Sequence, residues 1–169
     1  MREAQAFAET AADAERYIEA HLFDPAGLIY SGIDAHTDAP FAEAFITPRK
    51  VPRRAAGDPW SYWSYEDSVM SMGLYLDGLV LKYQVTGDTE CLLTAQRVWA
   101  MIYNVYACSQ VHGIGSFLRP YGGFETMHRF LEPLGTDQAS PLFSGLYRYL
   151  PHAAPAEAET MRRVMRQGT

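Results

Sequence analysis

The stretch YEDSVMSMGLYLDGLVLKYQVTGD, Tyr65 to Asp88, decides the fold. Val69, Met72, Leu76, Leu79, Val80 and Tyr83 recur at spacings of three and four, which marks one face of a helix. Met70, Leu74 and Leu81 make much of the remaining surface apolar, so this helix is expected to be buried on most sides. Gly73 and Gly78 lower helix propensity, and close packing against another helix is the expected reason for them. Ser64 is the expected N-cap, with Asp67 three residues on. Gly87 ends the helix as a C′ residue, and Asp88 caps the next helix at once.

Four more helices follow from the same periodicity. One runs from about Glu3 to Leu22, with Phe7, Ala11, Ala14, Ile18 and Leu22 on its apolar face, and Asp24-Pro25 and Gly27 stop it. The helix after Asp88 reaches about Ser109 and buries Leu92, Ala95, Val98, Trp99, Ile102, Val105 and Tyr106. A fourth covers Pro141 to Leu150, with Ser140 and Pro141 in the favoured N-cap and first-turn places. The last begins near Pro155 and carries Met161, Val164 and Met165. The fold class is therefore all-α: antiparallel helical hairpins in one domain over residues 1–169, without an extensive sheet.

The connections alternate between long and short. Segments 23–63 and 111–139 exceed the ~12–15 residues at which loops become unusual, while the other two links are a few residues each. Helices joined by short links run antiparallel, so both long segments are expected at one end. Long loops gathered on one face of a helical scaffold point to a binding site there.

The formal net charge is −6, which disfavours nucleic acid and anionic membrane as partners. The two cysteines, Cys91 and Cys108, fall on one helix, roughly 25 Å apart, too far for a disulfide between them. The N-terminus has no apolar signal region, and the most apolar run, Val69 to Tyr83, is interrupted by Asp77 and Lys82. These features lead to the expectation of a soluble cytoplasmic protein with reduced thiols. There is no zinc-like cysteine spacing and no phosphate-cradling glycine loop, so no metal or cofactor is expected.

The helix ending in Thr86-Gly87-Asp88, the later segment Gly115-Ser-Phe-Leu-Arg-Pro120, the triplet Thr136-Asp137-Gln138 and the Gly145-Leu146 pair together resemble six-hairpin glycosidase-like proteins. Those proteins are (α/α)6 toroids, and the resemblance covers about Trp60 to Leu150. It implies a partial (α/α) toroid, since five helices in 169 residues fall well short of twelve, which by the same spacing would need roughly 400 residues. An incomplete toroid leaves apolar helix faces open, so a homo-oligomer or a complementary chain is the expected partner. The resemblance also implies carbohydrate as substrate and hydrolysis as the reaction, with a polysaccharide lyase or a non-catalytic interaction module as alternatives.

Cleaving a glycosidic bond takes a carboxylic acid that protonates the leaving oxygen, and usually a second carboxylate. Asp137 matches the Asp-Gln of the resembling family and is the first candidate for the acid; Glu66 and Asp67 are candidates for the second carboxylate. Acids in a first helical turn also need no function beyond the helix dipole. Gln138 is placed to hold a sugar hydroxyl. Trp60, Trp63, Tyr65 and Tyr121 are aromatic surfaces for sugar C–H faces, and they serve equally as a loop mini-core. Arg119, and the basic run Arg49, Lys50, Arg53 and Arg54, raise the idea of an anionic, uronate-type sugar. Tyr121 and His128 are the candidate bases of the lyase alternative. Asp34, His36 and Asp38 alternate like metal ligands, but lack a fourth.

Overall fold

The computed structural model describes residues 2–41 and 64–167. Among these residues there are five α-helices: α1 Arg2–Tyr17, α2 Ser68–Thr86, α3 Glu90–Val111, α4 Thr136–Tyr149 and α5 Pro155–Gln167. The described sheet is one antiparallel pair, β1 Ile33–Asp34 and β2 Ala39–Pro40, with Ile33 opposite Pro40. The all-helical class holds.

The turn between α2 and α3 forms as its residues dictate. Gly87 takes φ 71°, a left-handed conformation that a Cβ would strain, and its N–H donates to Tyr83 O at 2.7 Å. Asp88 Oδ1 then accepts the Glu90 N–H at 3.1 Å, inside the first turn of α3. The chain reverses here, and Met72, Leu76 and Val80 share one core with Ala95, Val98 and Ile102. Each such fully buried aliphatic side chain contributes about 1.5–3 kcal/mol. Leu142, Leu146, Met161 and Val164 add α4 and α5 to the same core.

Helices α2 and α4 lie side by side and parallel. Asp67 meets Gln138 near one end, and Asp77 meets Arg148 lower down, each pair 71 positions apart. Between them the backbones nearly touch. A Cβ on Gly73 would stand 2.8 Å from both Leu142 N and Pro141 O. Close packing thus accounts for Gly73. It does not account for Gly78, which has nothing within 4 Å of its Cβ direction.

Three helix starts or faces differ from the sequence reading. The fourth helix begins at Thr136, not Pro141, and Pro141 lies inside it. The reason is tertiary: Gln138 is fixed from both sides, its Oε1 accepting the Gly135 N–H at 3.0 Å and its Nε2 reaching Asp67. Ser64 does not cap α2, which starts at Ser68; its Oγ instead accepts the Phe41 N–H at 2.8 Å. Helix α1 gives way to a π-helical turn at Ile18–Leu22, and of its apolar face only Leu22 packs against the core. Phe7, Ala11 and Ala14 stay exposed and line an open groove with Leu81 and Val85 of α2.

Cys91 and Cys108 both sit on α3 as free thiols. Among the described residues no helix is long and apolar enough to cross a membrane.

The described parts of the two long connections meet at the end where α2 and α4 begin. Tyr65 Oη donates to Asp24 Oδ2 at 3.2 Å, and the Tyr30 ring packs edge-on against Tyr65 with centroids 5.2 Å apart. Gly123, from the other connection, stands against the same pair. Ser109, near the end of α3, accepts the Leu118 N–H at 2.8 Å.

Candidate functional site

At this end the chain lays two short segments antiparallel. Leu134 N–H donates to Phe117 O at 2.9 Å, and Arg119 N–H donates to Glu132 O at 2.8 Å. This ladder carries the Arg119 side chain to the start of α2. Arg119 Nη1 donates to Glu66 Oε1 at 3.0 Å and to Tyr121 Oη at 3.3 Å. Its Nε donates to Pro133 O at 3.4 Å and lies 3.9 Å from Glu132 Oε1. Gln138, fully buried at the first turn of α4, donates through Nε2 to Glu66 O at 3.3 Å and to the Asp67 carboxylate. Ser68 follows in α2 with its hydroxyl buried and without a hydrogen-bond partner among the described residues.

The environments of these groups differ. The Glu66 carboxyl is held above the usual carboxylate range, first by burial and then by the neighbouring Asp67 charge; Arg119 opposes the shift without cancelling it. Burial pushes the Tyr121 phenol up to about 12, again against the pull of Arg119. The Tyr65 phenol is raised by burial, with Tyr30 and Asp24 adding to it.

Asp137 is exposed in the first turn of α4. Its Oδ1 lies 2.5 Å, and Arg119 Nη2 3.4 Å, from where a Cβ on Gly135 would stand. The expectation of Asp137 as a partly buried acid among aromatics is corrected here. Its position in a first turn turns the side chain to solvent, and Glu66 takes the buried place.

Seven residues singled out in the sequence therefore fall in one region: Arg119 with Glu66 and Tyr121 on its guanidinium, Gln138 linking Glu66 to Asp67, and Asp137 and Tyr65 beside them. His128 does not join them. It is exposed and stacks on His112, with centroids 6.0 Å apart and planes 17° from parallel. Trp60, Trp63 and the basic run Arg49, Lys50, Arg53 and Arg54 lie outside the described residues. Asp34 and Asp38 are engaged locally, Asp34 Oδ1 accepting the His36 N–H at 2.8 Å and Asp38 Oδ1 the Tyr17 hydroxyl at 2.6 Å.

Sequence reasoning missed Glu132, Asp24 and Gly135. Glu132 reaches Arg119 through the ladder, which no local spacing announces. Asp24 was read only as a helix stop, yet its Oδ1 also accepts the N–H groups of Ala26 at 2.9 Å and Leu28 at 2.8 Å while Oδ2 holds Tyr65.

Comparison with protein families, with curated proteins and with solved structures finds no match to this chain.

Proposed function

We propose that this chain is a carbohydrate-active protein of the glycoside hydrolase kind, with Glu66 as proton donor and Asp137 as the solvated second carboxylate. One observation supports the reading: Glu66, buried against Arg119, and Asp137, exposed in the first turn of α4, lie in one region where the described parts of the long connections meet. Glycosidic cleavage uses two carboxyls whose environments push their pKa values apart, and burial raises that of Glu66. Relative to the sequence reading the two roles are exchanged. Asp67 and Gln138 orient Glu66, since Gln138 grips both the Glu66 carbonyl and the Asp67 side chain.

The partial (α/α) toroid belongs to the same proposal. It is supported by α2 and α4 running parallel at close contact, each followed by a helix after a short link. In this reading α2 and α4 form the inner ring, and α1, α3 and α5 the outer one.

The lyase alternative is less well supported, because the buried Tyr121 phenol with its raised pKa is a poor base and His128 stands elsewhere. The interaction-module alternative keeps one supporting observation. Leu74, Leu81 and Val85 form an exposed apolar row on α2, and Tyr147 of α4 is exposed as well. Sedimentation velocity at roughly ten micromolar, a working range for weak association, should show a dimer or larger species if that row is an interface.

The test of the enzyme reading is release of reducing ends from a panel of oligosaccharides by the wild type, by Glu66→Gln and by Asp137→Asn. Turnover by the wild type alone supports it. Unchanged turnover in Glu66→Gln overturns the assignment of the acid. No release from any member of the panel overturns the hydrolase.

A further inference from the structure

Beside the carboxyl pair a groove opens between the loop 113–117, the segment 133–135 and the first turns of α4. Its floor is aromatic: Phe117 and Phe143 meet edge to face, with centroids 6.4 Å apart and planes at 74°. The hydroxyl-bearing residues Ser116, Thr136 and Ser140 line its sides. The wall is held in place, because Gln110 Nε2 donates to Ile114 O at 2.7 Å and to Ser116 O at 3.3 Å. Gly135 lines the groove and also stands against Asp137 Oδ1 and Arg119 Nη2, so the groove runs into the site described above.

Among the described residues, none that lines this groove is ionisable. The nearest guanidinium, Arg119, is already engaged by Glu66, Tyr121 and the Pro133 carbonyl. Glu66 and Glu132 both lie against it, and Asp67 and Asp137 stand in the same region, which makes the described neighbourhood acidic overall.

We infer that this groove is the subsite for an uncharged sugar ring, so that the substrate class is a neutral oligosaccharide and not a uronate chain. The inference rests on the proposed carbohydrate function and narrows it. A pyranose ring offers an apolar C–H face to the half-buried Phe143 ring, which the buried Phe117 backs, and its hydroxyls both donate and accept, as do those of serine and threonine. A uronate carboxylate brought into this groove would lose water without gaining a cation, which is strongly unfavourable. It would also approach carboxyl groups of its own sign.

Titration calorimetry tests this with neutral gluco- and manno-hexasaccharides and with an oligogalacturonide of the same length. The wild type should bind a neutral member. Phe143→Ala should weaken that binding about tenfold or more, the equivalent of a lost stacking surface, and Thr136→Val severalfold. Thr136 is exposed, so its variant keeps the test valid if Phe143→Ala unfolds. The oligogalacturonide should not bind. Equal or tighter oligogalacturonide binding overturns the inference while the carbohydrate function stands. Neutral binding unchanged in both variants also overturns it, by taking the ligand out of the groove. Binding of neither sugar class overturns the carbohydrate function itself, and the inference with it.

Discussion

Gly73 and Gly145 face each other where α2 and α4 cross: a Cβ on Gly145 would stand 2.9 Å from the Gly73 carbonyl carbon and closer still to its oxygen. The obstacle is main chain, which cannot swing aside as a side chain can. Gly145→Ala and Gly73→Ala are therefore expected to destabilise the protein by about 3 kcal/mol, the upper end for overpacking. Gly78→Ala is the internal control, on the same helix with open space around it. It should stabilise by about 0.5–1 kcal/mol through helix propensity. Denaturant midpoints for the three variants decide the matter. A neutral Gly145→Ala would mean that the helices do not cross this closely.

Glu66 makes stability depend on pH in a stated direction. Its folded pKa is raised, so the folded state favours the protonated carboxyl. That contribution is fully present below the unfolded carboxyl pKa and is lost as pH rises through the folded value. The melting temperature of Glu66→Gln relative to wild type should thus rise with pH and level off above the folded pKa. A constant difference across the acidic range would contradict the raised value.

Arg119→Met should be more harmful than Glu66→Gln. Both side chains of the pair are mostly buried, 15% and 12% exposed, and removing the guanidinium leaves a carboxyl without its partner. The expected loss is about 3 kcal/mol, the low end for breaking a buried pair. Adding Glu66→Gln to Arg119→Met should recover part of it. A double-mutant cycle measures this coupling, and an additive result would mean that the pair does not interact.

Asp137 separates a structural from a chemical role. As an exposed first-turn acid it contributes about 0.3–1 kcal/mol through the helix dipole, so Asp137→Ala should lower stability only by that amount. Asp137→Asn should remove turnover and leave sugar binding in place. An Asp137→Asn protein that still turns over a substrate of the wild type would reduce Asp137 to a helix-start acid.

What the sequence made legible was local. The α2–α3 turn could be read because Gly87 and Asp88 act within a few residues of themselves. The meeting of the described parts of the two long connections agrees with what link lengths alone led one to expect. The start of α4 was misread because Ser140-Pro141 has the composition of a helix start. What decides the start is Gln138 gripping Asp67, a contact 71 positions away. The apolar face of α1 was legible from its spacing, but spacing cannot show whether a neighbour arrives to cover it, and Phe7, Ala11 and Ala14 stay exposed. The candidate residues were found by chemical type. Their roles depend on burial, and burial put Glu66 inside and Asp137 outside.

The crossing of α2 and α4 also has the geometry of a fulcrum. Gly73 lies six positions below Asp67, which is roughly 9 Å along the helix. The ends that carry Glu66 and Gln138 are thus short lever arms pivoting on a contact with no side chain in it. A slight change in crossing angle would alter the spacing between the two carboxyls without altering any residue that touches a ligand. The reach of the site is then set at a place remote from it, by the absence of two methyl groups.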